Sequence, residues 1–247
     1  MHRAISVLIG IFLHSGALLA PPVSFAQQRT QSENWCTEAE KNLTTKDGKP
    51  ISCNEVARRC IQMNNYWCQK HGSSPWRGTT DKNGRDGNRD IDGHAVFESV
   101  DWSARAIAID LRAKYRRGLV SAVQIGAAYS PWCDTLGSKA IVNGSGRNCK
   151  DGRATPPPSF SGPFCKQPKS MPLSKANCLP GCNCPPNIAE VLVRGLQTDI
   201  NEDLKLFDLK GSPLPNLAVV IRNLAIQEQG VYIKQETIAA GIALLQQ

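Results

Sequence analysis

Ten cysteines set behind an export-type leader constrain this chain more than any other feature, because they make disulfides the expected framework of its fold. Met1-His2-Arg3 gives a basic start, Ala4 to Ala20 an apolar run, and Ser24-Phe25-Ala26 the small residues that a signal peptidase reads. Residues 1–26 are therefore predicted to be a signal peptide and Gln27 the first mature residue. His14, Ser15 and Gly16 interrupt the run, which suits a cleaved signal better than a permanent anchor of roughly 20 apolar residues. No second such run follows. The expectation is a periplasmic or secreted protein with no integral membrane segment after cleavage.

Cys36, Cys53, Cys60, Cys68, Cys133, Cys149, Cys165, Cys178, Cys182 and Cys184 all follow the leader, an even set that permits five bridges. Zinc is the competing use of Cys178-x3-Cys182-x-Cys184, but the paired C-x2-C spacing and a nearby histidine are missing, and export favours bridges over thiolates. No metal and no other cofactor is expected. Cys53, Cys60 and Cys68 lie seven and eight residues apart, which would put them on one side of a helix, so their partners are expected elsewhere in the chain. Spacing alone does not fix the connectivity.

A mature length of 221 residues allows one sizeable core. The formal charge of +8, or +7 once Arg3 is removed, suits anionic envelope polymers. A basic motif interleaved with aromatics is absent, so no nucleic-acid partner is expected. Residues 27–50 are polar and end in Lys46-Asp47-Gly48-Lys49-Pro50, which reads as a loosely ordered arm held by Cys36. Residues 51–247 are expected to form a single helical domain. Its first helix runs from Ser52 or Asn54 to about Gln69, with Val56, Cys60, Met63 and Trp67 on one face.

A long polar loop over 72–94 follows, with Trp76 and Ile91 as anchors and room for a small hairpin within 72–98. A second helix is predicted from Trp102 to Arg117, capped by Asp101 and ended by Gly118, and a third from Ser121 to Tyr129. Residues 143–187 are rich in proline and hold five cysteines, so this insertion is expected to be irregular chain held by bridges. Helical periodicity returns over 187–200, 215–229 and 234–246. No long alternating strand pattern occurs. The predicted fold class is mainly α, a disulfide-stabilised helical domain.

Several chemistries find little support. Gly144-Ser145-Gly146 lacks the setting of a nucleophilic serine, and the even cysteine count disfavours a catalytic thiolate. The loop carboxylates Asp86, Asp90 and Asp92 could suggest calcium, but two cations interrupt the run and no glutamate stands at its twelfth position, so a solvated loop is the simpler reading. Carboxylate chemistry remains. Glu55 in the first turn of the first helix and Glu98 just before the second flank the polar loop. Glycosidic cleavage needs such a pair, one group to protonate the leaving oxygen and another to stabilise positive charge. Each also has a plain structural use, Glu55 against the helix dipole and Glu98 at the surface.

Asn64-Asn65, Trp76-Arg77-Gly78, Asp90, Phe97, Ala104-Arg105-Ala106, Leu111, Tyr115 and Arg117-Gly118 occur in an order that resembles a family of phage virion-associated and exported bacterial proteins. That family has an N-N-P-G-N segment, then W-x-G, a phenylalanine, a G-x-R-A start and an L-x-x-Y-x-x-x-G finish. Leu217 to Gly230, Tyr232, Ile238 and Gly241 are similar to its closing segment. The resemblance covers residues 64–130 and 214–245. It implies a lysozyme-like fold and action on peptidoglycan, with a glutamate upstream of the paired asparagines as acid. Carried over by position, Glu55 is that acid, and Asn64, Asn65, Trp76 and Arg105 build the cleft. Glu98 or Asp92 then supplies the second carboxylate, Trp76 stacks on a sugar ring, and Arg77, Arg85 and Arg89 meet anionic peptide stems. Some members of the family are structural only, so a non-catalytic envelope or virion-type protein is the alternative.

Overall fold

The computed structural model describes residues 31–72, 76–80, 89–90, 93–130, 183–246 and the backbone of 139–142 and 145–148. The leader, most of the proline-rich insertion, Arg85 and Asp92 lie outside these residues. The described chain is mainly helical. Its helices are α1 (Trp35–Asn42), α2 (Arg59–Gln62), α3 (Val100–Arg116), α4 (Ala122–Tyr129), α5 (Pro185–Val193), α6 (Asn216–Gln229) and α7 (Gln235–Ala243). No helix among the described residues is long and apolar enough to cross a membrane.

The stretch expected to be a loose arm is part of the core. Helix α1 buries Ala39, and β1 (Leu43–Thr44) pairs antiparallel with β4 (Tyr232–Ile233), Leu43 opposite Ile233. The remaining strands, β2 (Lys139–Val142) and β3 (Ser145–Asn148), form a separate antiparallel hairpin. Helix α1 looks polar because two of its inward residues are Glu38 and Asn42. Asn42 Nδ2 donates to Glu38 O at 2.8 Å, and Thr237 Oγ1 donates to Asn42 Oδ1 at 2.8 Å. These bonds satisfy polar groups that would otherwise be costly to bury.

The continuous helix expected from 52 to 69 does not form. A 3-10 turn (Cys53–Val56) and the four-residue α2 replace it, and Asn64 and Cys68 take left-handed backbone angles of φ 52° and 47°. The cause is a side-chain clasp. Asn65 Oδ1 accepts from Gln69 N, and its Nδ2 donates to Gln69 O and Ala95 O, each at 2.8 Å. Asparagine here offers the backbone an alternative to the helical ladder. The expectation that Cys53, Cys60 and Cys68 pair with distant partners is corrected in the same way. Cys60 bridges Cys68 with Cα atoms 5.4 Å apart, whereas eight residues of straight helix would separate them by about 12 Å. Cys53 pairs with Cys36 across to α1, and Cys184 is disulfide-bonded to a partner outside the described residues.

The long central helix follows its sequence signals closely, and the hydrophobic core assembles around it. Val100, Ala104, Ile107, Ala108 and Leu111 face Val220, Ile221 and Leu224 of α6 and Ile238 of α7 in one continuous apolar cluster. Gly241 lets α7 lie against α3, since a Cβ there would overlap Ala104 and come within 2.9 Å of Asp101 O. Helix α4 starts with a capping box, Ser121 N donating to Gln124 Oε1 and Gln124 N to Ser121 Oγ. Helix α6 ends at Gly230 in the left-handed conformation that its C-terminal cap requires, φ 64°. Within 72–98 the described residues form isolated antiparallel bridges, Arg89 with Ala95 and Thr79 with Phe97, and no continuous hairpin, while Lys70 just before it bridges to His94. Asp90, His94 and Arg59 meet in this region, where burial lowers the pKa of the His94 ring. Both Asp90 oxygens lie 3.1 Å from His94 Nδ1, and Arg59 Nε is 3.4 Å from Asp90 Oδ2. Burial opposes ionisation of Asp90, but the His94 amide and ring and Arg59 outweigh it and hold the carboxyl below its usual range.

Candidate functional site at the head of the central helix

The first turn of α3 gathers most of the chemistry. On one side a tight turn runs from Trp76 to Thr79, with Thr79 Oγ1 donating to Trp76 O at 3.0 Å and Gly78 at φ 77°. Glycine is required there twice over. The backbone angle is left-handed, and a Cβ would overlap the Trp102 indole, which lies directly on the glycine. Trp76 is fixed by Nε1 donating to Lys70 O at 2.9 Å, and both tryptophans pack against Ala95, Phe97 and Ala106. The W-x-G sequence thus builds a seat for a second, partly exposed indole.

Two guanidinium groups border that indole. Arg77 Cζ and Arg105 Cζ each stand 5.7 Å from the Trp102 ring centroid, within range of cation–π attraction. Arg105 is held further by Nε donating to Leu244 O at 2.9 Å. Burial, then the charges of Arg77 and Arg112, lower its pKa below the usual arginine value. Glu98 borders the same turn, its amide donating to Gly78 O at 2.9 Å, with its residue exposed.

On the neighbouring side lies a carboxylate pair that the sequence reading passed over. Glu38 of α1 is buried, and its Oε2 accepts from Val100 N at 3.0 Å and from Asn42 Nδ2 at 3.3 Å. A carboxylate at the open amides of a long helix is favourably placed against the helix dipole. Glu38 therefore does what Asp101 was expected to do. Asp101 stands beside it, its carboxyl pushed up by burial and by the negative charge of Glu38, with Lys41 opposing. The hydroxyl of Tyr66, fully buried, has no hydrogen-bond partner among the described atoms, and burial together with Glu38 pushes its pKa up.

Asp101 makes a testable contribution to pH dependence. Its folded pKa exceeds the unfolded value of about 3.9, so its stabilising protonated form is fully present below that value and lost as pH rises through the folded pKa. Asp101→Asn is expected to raise the thermal midpoint at pH 7 and to remove part of the decline between pH 4 and neutrality. Midpoints measured across that range check it, and identical wild-type and variant pH profiles would rule it out.

The nominated residues divide clearly. Trp76, Arg77 and Arg105 come together at the α3 head, and Glu98 joins them through its backbone. Asn64 and Asn65 are fully buried, so they cannot line a cleft as expected. Asn64 instead works from behind, its Nδ2 within hydrogen-bond reach of Ser32 Oγ, Asn34 Oδ1 and Phe97 O at 3.0, 2.9 and 3.2 Å. Glu55 is exposed and occupies a capping box, its Oε1 accepting from Ser52 N at 3.3 Å. The structural reading of Glu55 accounts for its position. Arg89 is exposed and pairs through its backbone with Ala95, while Arg85 and Asp92 lie outside the described residues.

Cys36, Glu40 and Cys53 approach one another closely, but the two cysteines are bridged and Glu40 Oε1 accepts from Cys53 N at 3.3 Å, so no thiolate ligand is available there. Trp102 was legible in principle, because a glycine two residues after a tryptophan invites a close packing partner. Glu38 had no local signal at all. Comparison with protein-family models, curated proteins and solved structures found no match.

Proposed function

We propose that this is an exported, lysozyme-like protein of the periplasm or extracellular space that binds the glycan strands of peptidoglycan through the Trp76–Arg77–Trp102–Arg105 face. The observation that carries the reading is the partly exposed Trp102 ring, seated on Gly78 with two guanidinium groups each 5.7 Å from its centroid. An indole face suits the apolar face of a sugar ring, and the flanking cations suit a polymer that carries acidic groups. Disulfides and the leader sequence support an oxidising compartment. The test is co-sedimentation of purified, oxidised mature protein with sacculi. Trp102→Ala is expected to weaken retention at least roughly tenfold, equivalent to about 1.4 kcal/mol, with the far-ultraviolet spectrum unchanged. Full retention by a folded Trp102→Ala variant would remove this face from the reading.

A catalytic version of the same reading is favoured by one observation, the buried Glu38 carboxylate beside Asp101. Glu38 Oε2 accepts from Val100 N, and burial together with the negative charge of Glu38 favours the protonated form of Asp101. A carboxyl pushed up beside a second carboxylate suits the proton donor that glycosidic cleavage needs next to a charge stabiliser. The same sacculus incubation followed by mass analysis of soluble products tests it. Muropeptide release that disappears in Asp101→Asn supports cleavage. Retention without release leaves a binding protein.

A further inference from the structure

The far end of α3 carries a second surface, and from Trp102 to Arg116 the helix axis rises about 21 Å, so it is separate from the head. There the segment 204–214 folds back on itself. Leu204, Leu206 and Phe207 are buried, the Phe207 ring packs on Tyr115 of α3 with centroids 5.6 Å apart, and Leu214 N donates to Leu206 O at 2.9 Å. The tip is a tight turn pinned from inside. Asp208 N donates to Ser212 O and Gly211 N to Asp208 O, both at 2.9 Å, while Asp208 Oδ1 accepts from Lys210 N at 2.9 Å and from Ser212 N at 2.8 Å. On this tip stands Leu209, the one large apolar residue that is fully exposed among the described residues. Its turn is already ordered, so little conformational freedom is lost when a partner covers the side chain.

The charges near the tip say what that partner is. Lys210 is the neighbour of Leu209, Arg116 Nη2 lies 3.3 Å from where a Cβ on Gly211 would stand, and Lys205 and Arg117 are exposed at the base of the loop and the end of α3. None of these four cations is ion-paired with a described residue. The nearby carboxylates are fewer and turn onto backbone amides, Asp208 as above and Asp203 Oδ1 accepting from Lys205 N at 2.7 Å. Asp199 and Glu202 belong to a turn that leans on α4, where Val123 N donates to Ile200 O at 3.0 Å. We infer that this end of the molecule docks on a bilayer rich in anionic lipid, with Leu209 entering the boundary between headgroups and acyl chains and Lys205, Lys210, Arg116 and Arg117 meeting lipid phosphates. A glycan strand has no use for a projecting leucine, whereas that boundary takes one, and cations beside it add attraction to a negative surface. The inference goes beyond the wall-binding reading and does not depend on it.

The experiment is co-sedimentation of the oxidised mature protein with vesicles of phosphatidylcholine alone and of equal parts phosphatidylcholine and phosphatidylglycerol. Binding is expected to the anionic vesicles only and to weaken as salt is raised. Leu209→Ser is expected to weaken it at least roughly tenfold, and Lys210→Gln and Arg116→Gln by roughly fivefold each. The thermal midpoint of Leu209→Ser should match the parent, because its side chain stands fully exposed, so a loss of binding there is not a loss of fold. Binding to neither vesicle would overturn the inference, as would equal binding to both or parental binding by Leu209→Ser. Self-association that Leu209→Ser abolishes, without vesicle binding by the parent, would put a second copy of the chain on the tip and overturn it as well.

Discussion

Removing the Cys36–Cys53 and Cys60–Cys68 bridges together is expected to destabilise the folded protein by about 5–6 kcal/mol, comparable with the whole stability of many domains. The bridges close loops with sequence separations of 17 and 8 residues. On the chain-entropy account such loops contribute about 3 and about 2.5 kcal/mol through restriction of the unfolded chain. Their placement adds a structural consequence. The first bridge ties α1 to the 3-10 turn, and α1 carries Glu38, which accepts from the head of α3. The second closes the loop that contains Asn64 and Asn65, whose amide groups hold Phe97 O and Ala95 O in the segment leading into α3. Urea unfolding of C36A/C53A, C60A/C68A and the combined variant measures the effect. Unfolding midpoints that match the parent protein would refute it. The combined variant is also expected to lose wall retention, because both bridges support the same helix head.

Parts of this arrangement were written plainly in the sequence. Helices α3, α4 and α6 carry apolar residues at spacings of three and four, and Ser121 and Gly230 stand where caps are needed. Local signals suffice there because the partners of each cap lie within one turn. Helix α1 was missed for the opposite reason. Its inward Glu38 and Asn42 read as surface residues until Val100 and Thr237, 62 and 195 positions away, supply their partners. The cysteine spacing of seven and eight residues misled in a different manner, since it is compatible with one helix face and equally with a short clasped loop. The asparagines inside that loop were the available hint, because two in succession compete with helical hydrogen bonding.

The candidate site was half legible for related reasons. Trp76, Arg77 and Arg105 were named, since exposed aromatics and cations beside a glycine turn carry a local meaning. Glu55 was named as an acid because it opens a predicted helix, and the structure gives it the capping role which that same position allows. A carboxylate becomes chemically distinctive through burial and through its neighbours, and neither is visible from the order of residues. Glu38 and Asp101 are 63 positions apart in the chain, and the fold brings their charges together.

The clearest separation of fold from function is expected at two tryptophans. Trp67 is 1% exposed, and its Nε1 donates to Ile221 O of α6 at 2.8 Å, while Tyr129 donates its hydroxyl proton to Trp67 O at 3.2 Å. Trp67 therefore joins the loop closed by Cys60–Cys68 to α6 and to the end of α4. Trp67→Ala removes a large buried ring and leaves a cavity that these three elements cannot all close, so a loss of about 3–5 kcal/mol is expected, or roughly 10 °C in the thermal midpoint. Trp67→Phe keeps most of the ring volume and gives up the hydrogen bond, with an expected loss of about 1–2 kcal/mol. Below its midpoint, Trp67→Phe is expected to retain wall binding, because nothing at the α3 head depends on the indole nitrogen. Trp102→Ala should behave in the reverse sense, with a small shift in midpoint and a large loss of retention. A Trp67→Ala protein that melts within a degree or two of the parent would mean that the clasped loop is not bound into the core as described. A Trp67→Phe protein that is folded yet does not bind the wall would place the recognition surface around this loop and away from Trp102.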